Sequence, residues 1–204
     1  MLINLRNALM SGKRLPYDAE VEFLQTDGNA YIATGITPPT GATVKTELTF
    51  GFASSSRRRF LFSDSNANAT HYCEVNESAR YGAGTAYISQ TLSADTMYNA
   101  TATFTSASAS YSIDINGTQY TSSTTSYPSS AWRGLVLFRI NIEFRGAGQR
   151  IGACKIYVNG VLVRDFIPVR VGTVGYLYDR VSGKLFGNAG TGDFVLGPDT
   201  PSPV

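Results

Sequence analysis

The dipeptide Asn159-Gly160 stands between two apolar runs, residues 156–158 and 161–163. Asn and Gly both tolerate the positive φ angles of a type I′ turn, which joins two adjacent antiparallel strands. The pattern therefore predicts a two-residue β-hairpin. Asn116-Gly117, within IDINGTQY, shows the same local pattern, whereas the residues around the two dipeptides do not recur. We predict two hairpins of one β-structure rather than a true sequence repeat.

The residues after Asn159-Gly160 continue the strand pattern to the end of the chain. Residues 165–169 contain Pro168, and the residue before a proline is kept out of the helical region, so this stretch is predicted to be extended. Ser182-Gly183 lies between residues 176–178 and 184–186, which predicts another hairpin. Three glycines then mark a last turn before a closing strand at Phe194–Leu196.

Most of the remaining chain also has a strand pattern. Within residues 43–52, Val44, Leu48, Phe50 and Phe52 fall on one face at a period of two if a small irregularity is allowed. Asp27-Gly28 predicts a hairpin turn between strands at 20–24 and 31–36. Further strands are predicted at 60–62, 72–75, 99–104, 110–115, 135–138 and 140–144, with a glycine-broken pair around 81–88. A helical pattern is confined to the first ten residues.

A chain of 204 residues is long enough for one β-sandwich with a full two-layer core. We therefore expect one all-β domain of two stacked antiparallel sheets. The closing strand should lie beside the opening strand at 21–24, because joining the two chain ends removes an open sheet edge. The core is expected to include Leu137, Phe138, Tyr157, Phe166, Ile167 and Leu185.

Four stretches of the sequence resemble one known family. KIYVNGVLVRDFIPVR and GYLYDRVSGKLFGNAGTGDF are similar to the C-terminal half of concanavalin A-like, or laminin-G-like, jelly-roll domains of bacteriophage virion proteins and gut-bacterial surface proteins. VEFLQTDGNAYIATGI resembles the opening hairpin of that family, and Leu137-Phe138-Arg139 resembles its middle. The resemblance covers about residues 20–198 and implies a jelly-roll sandwich. Hydrophobic and turn residues carry it, so it implies little about a ligand.

Residues 1–17 precede this resemblance, and we interpret them as an attachment arm ahead of a jelly-roll domain at 18–204. Leu2, Leu5 and Leu9 form an apolar stripe that is too short to be a stable helix alone. If the three leucines are exposed together, they favour contact with a neighbouring subunit. Deleting residues 1–16 is therefore expected to leave a folded monomer that no longer joins its assembly.

The same segment lacks the uninterrupted apolar core of a secretion signal, because Asn4, Arg6 and Asn7 interrupt it. No other span is long enough to cross a bilayer. A fold usual on extracellular surfaces but encoded without a signal fits a phage virion protein, which assembles in the host cytoplasm and leaves by lysis. We expect a location on the virion surface, with other virion subunits as partners in a homo-oligomeric assembly.

Composition argues against several other kinds of binding. Charged residues make up 16% of the chain and the net charge is +2, which gives too weak a field for a dedicated nucleic-acid binder. We interpret the two cysteines, Cys73 and Cys154, as buried thiols rather than as one disulfide bridge. At these spacings the two cysteines and His71 cannot form a metal cluster. The loop at Asp64, Asn66 and Asn68 is oxygen-rich and could hold calcium, but no further ligands are visible. We expect no cofactor.

Catalytic patterns are not found in the sequence. Glycoside hydrolases of this sandwich class commonly place paired carboxylates in an E-x-D-x-x-E pattern, and the chain has none. Glu74 and Glu77 are three residues apart and would face opposite sides of a strand. His71 has no neighbouring nucleophile motif, and GNAGTG at 187–192 precedes a strand rather than the helix that a phosphate loop needs. We expect no enzymatic activity.

Two groups of residues are candidates for binding a partner or a glycan. The run Arg57-Arg58-Arg59 could clamp an anionic partner, although a solubilising loop is the simpler interpretation. Tyr127, Trp132 and Arg133 include the flat aromatic rings that contact the C–H faces of sugars, whereas a single Trp is more often a core residue.

These features favour a non-enzymatic structural protein of a phage virion, either a head decoration or a tail or fibre component. Its lectin-like jelly roll would contact other subunits or host glycans. One alternative is a carbohydrate-binding adhesin of a gut bacterium. The other is a glycan-cleaving enzyme, which the missing carboxylate motif disfavours.

Overall fold

A computed structural model describes residues 15–53, 59–64, 72–75, 80–81, 92–105, 110–123, 132–139 and 147–201. Over these ranges the chain forms β-strands and connecting turns, with no helix and hence none that could span a membrane. The strands are β1 (Ala19–Glu20), β2 (Leu24–Thr26), β3 (Ile32–Ala33), β4 (Thr43–Phe52), β5 (Arg59–Asp64), β6 (Tyr72–Val75), β7 (Arg80–Tyr81), β8 (Tyr98–Thr105), β9 (Ser110–Ile115), β10 (Thr118–Ser123), β11 (Leu135–Leu137), β12 (Gln149–Val158), β13 (Val161–Val171), β14 (Val174–Asp179), β15 (Lys184–Phe186) and β16 (Phe194–Leu196).

The strands form two antiparallel sheets. The larger sheet has 11 strands, with the main order β10-β9-β8-β4-β12-β13-β14-β15; β2 pairs with β12 and β16, and β1 pairs with β13. The smaller sheet has five strands in the order β3-β11-β5-β6-β7. One apolar core lies between them, as the edge-on contact of Phe104 in the larger sheet with Trp132 beside the smaller one shows (5.6 Å between ring centroids). The predicted all-β sandwich of two antiparallel sheets is confirmed.

Strand β4 shows how the sequence alternation builds this sandwich. Its even-numbered side chains from Val44 to Phe52 are buried, whereas Lys45 and Glu47 between them face outward and are half-buried. Thr46 fills the position that lacks an apolar residue, and it too is buried. The strand is therefore regular, and the irregularity that the prediction allowed for is absent. The larger sheet consequently has an apolar inner face and, at β4, a polar outer face.

Both predicted Asn-Gly hairpins are confirmed. Asn116 and Gly117 connect β9 to β10 with φ angles of 51° and 86°, and Asn159 and Gly160 connect β12 to β13 with φ angles of 50° and 80°. Two successive residues with positive φ are the mark of a type I′ turn. The hairpin at Ser182-Gly183 is also present, as the pairing of β14 with β15 shows.

The turn at Asp27-Gly28 is a corner between the sheets, so the prediction of an opening hairpin is wrong. Before it, β2 pairs within the larger sheet, and after it β3 pairs with β11 in the smaller sheet. The Asp27 carboxylate accepts hydrogen bonds from the backbone N–H groups of Asn29 and Ala30, at 2.7 and 2.9 Å. Asp27-Gly28 thus forms the sharp turn, but the strands on either side of it pair with strands that are distant in the sequence and not with each other.

The two ends of the domain meet as predicted. Leu196 pairs with Leu24, Phe194 pairs with Thr26, and an isolated bridge joins Val21 to Asp199. The closing strand therefore lies against the opening segment of the chain, and the antiparallel pairing is as expected from a sandwich in which both ends return to one edge.

Most of the predicted core residues are buried. Leu137, Phe138, Phe166 and Ile167 are at most 7% exposed. Tyr157 and Leu185, by contrast, are only partly buried, which corrects their placement in the core. Cys154 is fully buried and free, as favoured for this thiol; the structure describes only the backbone of Cys73. Burial in apolar surroundings raises the pKa of the Cys154 thiol to about 12, which keeps it protonated.

A second apolar cluster lies on the outer face of the larger sheet. Ile167 and Val169 of β13 point away from the main core and pack with Tyr176, Tyr178 and Leu185. The chain just before β1 covers them: Leu15 packs on the cluster, and Tyr17 is 7% exposed with its ring 5.2 Å from that of Tyr178. The final residues of the proposed arm therefore pack on the domain. Leu2, Leu5 and Leu9 lie outside the described residues, so the arm stays a prediction.

Candidate functional site

The outer face of the larger sheet is polar over β12, β4, β8, β9 and β10. Antiparallel pairing aligns Lys155, Glu47, Thr101, Asp114 and Gln119 in one row across these five strands. Four of these side chains lie between buried neighbours along their strands and so face away from the core, and Gln119 is on the same face because it pairs with Asp114. Residues from five separate segments are thereby brought into one line of hydrogen-bonding groups.

A shallow depression of about 500 Å³ lies on this face, and we call it the outer-face depression. Its floor is low because small side chains, Thr49, Thr101 and Ala153, occupy the centre of the sheet. Longer side chains rise around them, with Glu47 and Lys155 at one side and Asn99, Asp114 and Asn116 at the other. The size is within the range of small-molecule sites in proteins.

One end of the depression is held by Tyr157, Lys45 and Glu47. The Tyr157 hydroxyl donates a hydrogen bond to Glu47 Oε2 (3.1 Å), and Lys45 Nζ lies 2.6 Å from Glu47 Oε1. Lys45 Nζ also lies 5.2 Å from the centre of the Tyr157 ring. The bond from Lys45 is the main cause that holds the pKa of the Glu47 carboxyl below its usual value. Glu47 is thus a carboxylate at neutral pH, and Tyr157 is fixed beside the depression as a half-exposed ring.

The other end is organised by two asparagines. The Asn99 side-chain oxygen accepts a hydrogen bond from Thr49 Oγ1 (3.2 Å), and the Asn116 side-chain oxygen accepts one from the backbone N–H of Asn99 (3.0 Å). Asp114 Oδ1 accepts the backbone N–H of Gly117 at 2.8 Å. Within the described part of the chain, the amide nitrogens of Asn99 and Asn116 and the second oxygen of Asp114 are left for a ligand or water. The side chains are therefore held in place while keeping both donors and acceptors available.

A loop at residues 92–97 bounds the polar face near β2. It approaches the sheet so closely that a Cβ atom on Gly51 would lie 2.6 Å from Met97 Sδ. Asp95 fixes the loop, because its backbone N–H donates to Phe52 O (2.8 Å) and its carboxylate pairs with Arg150 (2.8 Å). Glycine is required at position 51 for this approach, and the loop forms a raised edge of the face.

The depression contains two carboxylates, those of Glu47 and Asp114. Glu47 and Asp114 lie two strands apart, which places their Cα atoms about 10 Å from each other. A glycosidase needs one carboxylic acid that is protonated at working pH, whereas Lys45 lowers the pKa of the Glu47 carboxyl and keeps it ionised. No group of three His, Cys, Asp or Glu side chains that could hold a metal occurs in the described ranges.

Of the predicted binding residues, the structure places the side chains of Trp132 and Arg133. Arg57, Arg58 and Tyr127 lie outside the described residues, and only the backbone of Arg59 is described, at the start of β5. Arg133 is exposed just before β11, which runs antiparallel to β5, so Arg59 and Arg133 are at opposite ends of that strand pair.

Trp132 is a core residue. It is 4% exposed and packs edge-on against Phe104 in the main core. Its ring therefore offers no open face to a sugar, and the core alternative weighed from the sequence is the one that the structure shows. The calcium candidates cannot be placed, since Asn66 and Asn68 lie outside the described residues and only the backbone of Asp64 is described.

The outer-face depression leaves almost no trace in the sequence. Its polar residues occur singly within strands, so no local motif marks them. The one available signal was the alternation of β4, which places Lys45 and Glu47 on the face opposite its buried residues.

Comparison with solved structures identifies the architecture. A "putative carbohydrate binding protein" from Bacteroides ovatus superposes with a TM-score of 0.58 at 10% identity, over 91% of this chain and 62% of that chain. This chain has the concanavalin A-like jelly-roll fold. It spans less than two thirds of the length of the Bacteroides protein, and at this identity the similarity concerns the fold alone.

Two further jelly rolls show lower similarity. A SAP-like pentraxin from Limulus polyphemus gives a TM-score of 0.49 at 10% identity, over 69% of this chain and 76% of that chain. Domains LG4-5 of the mouse laminin alpha1 chain give 0.48 at 12% identity, over 74% and 44% of the two chains. No protein-family model and no curated protein sequence matches this jelly roll.

Proposed function

We propose that this jelly roll is a non-enzymatic carbohydrate-binding domain that holds a glycan in the outer-face depression. The observation that carries the proposal is the row of fixed polar groups across β12, β4, β8 and β9, with the ring of Tyr157 beside it. The name of the Bacteroides ovatus protein, which shares the fold, supports the same class of ligand.

The arrangement suits sugar hydroxyls, each of which both donates and accepts a hydrogen bond. The depression offers donors at Asn99, Asn116 and Lys155, and acceptors at Asp114 and Glu47. Since Asn99, Asn116, Asp114 and Glu47 are held by neighbouring side chains or turns, little of their side-chain entropy is lost when a ligand binds. Tyr157 adds a partly exposed aromatic surface for the C–H groups of a sugar ring.

The balance of charges favours a neutral glycan. Lys45 and Lys155 contribute two positive charges to the face, and Glu47 and Asp114 contribute two negative ones. The local net charge is therefore zero, so hydrogen bonds and ring contacts rather than charge attraction would select the ligand.

We place this domain on the surface of a phage virion, where other virion subunits would be its partners. The family resemblance and the arm proposed at residues 1–17 support this setting. A surface adhesin of a gut bacterium fits the binding function equally well. Sedimentation of the protein with purified virions distinguishes the two, because only the virion protein co-sediments with particles in fixed stoichiometry.

A matched pair of arginine substitutions tests the binding function. Thr101→Arg places a long side chain on the floor of the depression, whereas Thr105→Arg places it on the same strand and face, about 13 Å away. On a glycan array we expect the parent protein to bind a set of neutral glycans, Thr101→Arg to weaken binding at least about tenfold and Thr105→Arg to retain it. Absence of any bound glycan, or equal binding by both variants, would contradict the proposal.

A further inference from the structure

Three distant segments meet at one corner of the sandwich, at the ring of Tyr31. The backbone N–H of Tyr31 donates to Asn188 Oδ1 (3.1 Å), and the backbone N–H of Ala189 donates to Tyr31 O (2.9 Å). Gly190 touches the ring so closely that a Cβ atom there would lie 2.9 Å from Tyr31 Cδ1. The third segment contributes Arg139, whose guanidinium carbon lies 4.2 Å from the centre of the Tyr31 ring.

The residue before Arg139, Phe138, has a strained backbone conformation that the surrounding contacts stabilise. Phe138 has a φ angle of 74°, a conformation that bulky L-residues rarely adopt. Its side chain is 1% exposed and lies 5.0 Å from the ring of Phe194, so core packing holds the conformation. The Ser63 hydroxyl donates a hydrogen bond to the carbonyl of Arg139 itself. These contacts fix the direction in which the Arg139 side chain leaves the smaller sheet.

Among the described residues, Arg150 and Arg164 also lie on aromatic rings, and the N–H groups of both have acceptors. Arg150 lies 4.6 Å from the Phe23 ring centre and is bonded to Gln25 and Asp95, each at 2.8 Å. Arg164 lies 5.2 Å from the ring of Phe186 and donates to Thr34 O at 3.0 Å, with the Asp179 carboxylate 3.7 Å away. Each of these two guanidinium groups therefore both stacks on a ring and has its N–H groups bonded within the domain, so we assign them a role in stabilising the fold.

Arg139 has the stacking without the pairing. Within the described part of the chain, its guanidinium has no carboxylate or carbonyl acceptor, and its recorded side-chain contact is the Tyr31 ring. Asp27, the carboxylate of the turn that leads to Tyr31, is already engaged by the backbone N–H groups of Asn29 and Ala30 and by the Asn29 side-chain amide. A half-buried, oriented guanidinium is thus left with its N–H donors available.

We propose that Arg139 and Tyr31 form a second binding site, which takes the carboxylate of an acidic sugar. The guanidinium fork matches a carboxylate with two parallel hydrogen bonds, and the Tyr31 ring keeps the fork in one plane. Asn188 holds the backbone of Tyr31 through its N–H group, and Gly190 lies against the edge of the ring. This site is separate from the outer-face depression and does not depend on the function proposed for it.

Three small probes separate the parts of this proposal. Glucuronate carries both the sugar and the carboxylate, glucose carries the sugar alone, and acetate carries the carboxylate alone. We expect glucuronate to shift the Arg139 Nε–H and Tyr31 ring NMR signals saturably and to bind more tightly than either of the others. Binding of glucose or acetate as tight as that of glucuronate, or no saturable shift with glucuronate, would overturn the assignment.

Substitutions test the role of the guanidinium. Arg139→Lys keeps the positive charge but loses the planar fork, and we expect glucuronate binding to weaken about tenfold. Lys184→Gln, which removes an exposed positive charge elsewhere on the domain, should leave binding unchanged. Glucuronate binding that is unaffected by Arg139→Lys, or equally weakened by Lys184→Gln, would also overturn the proposal. Because the probe comparison uses the unmodified protein, the test stands even if a variant fails to fold.

Discussion

The outer face of the larger sheet has two halves that the protein uses differently. Over β13, β14 and β15 it is apolar, and Leu15 and Tyr17 cover it. Over β12, β4, β8 and β9 it is polar and open, with the depression at its centre. The apolar cluster on this face is thus covered by the chain's own N-terminal residues, whereas the polar half is left open and offers hydrogen-bonding groups to a soluble ligand.

The largest loss of stability is expected from a substitution in the core that lies beneath both halves of the outer face. Phe166 is fully buried, and its ring meets that of Phe186 at 5.1 Å. Phe166→Ala should lower the free energy of unfolding by about 3–5 kcal/mol, because it removes a buried ring and leaves a cavity. Urea denaturation measures this change. Val161→Ala, at a side chain that is 64% exposed, is the control and should change stability by less than about 0.5 kcal/mol.

Two N-terminal deletions separate the covering residues from the proposed arm. Removing residues 1–17 deletes Leu15 and Tyr17 and should cost about 2–4 kcal/mol, since the apolar half of the outer face becomes exposed. Removing residues 1–14 keeps both residues and should leave stability unchanged while abolishing assembly. Urea denaturation and incorporation into particles are the measurements. If the shorter deletion also unfolds the domain, or still assembles normally, the arm hypothesis is wrong.

The smallest change in stability is expected from neutralising a charge on the polar half of the outer face. The folded-state pKa of Glu47 is lowered by Lys45, so the stability it contributes is present above its unfolded pKa of about 4.3 and is lost as the pH falls through the folded value. The side chain is 35% exposed, so solvent screening keeps the effect below about 1 kcal/mol. Urea midpoints measured near neutral pH and at about pH 3 should differ less for Glu47→Gln than for the parent. An equal difference for both would show that the Lys45 pair contributes nothing.

Local features of the fold could be predicted from the sequence. Asn116-Gly117 and Asn159-Gly160 carry their turn geometry in two residues, and the alternation of β4 encodes its own faces. Asp27-Gly28 predicts a turn but not which strands pair on either side of it, because β2 and β3 pair with partners more than a hundred residues away.

The candidate site was beyond sequence reasoning for the same reason. Lys155, Glu47, Thr101 and Asp114 become neighbours only through the register of four strands. A search for carboxylates within one strand finds Glu74 and Glu77 instead. Trp132 was singled out for its residue type, but its position against Phe104 in the core decides its role.

The central claim is that the open, polar half of the outer face binds the glycan. Backbone amide NMR shifts, followed while the most strongly bound array glycan is titrated, test it most directly. We expect saturable shifts at Thr101, Asp114 and Lys155, with none at Tyr176 or Leu185 in the covered half. Saturable shifts confined to the covered half or to the smaller sheet, with Thr101 and Asp114 unmoved, would contradict it.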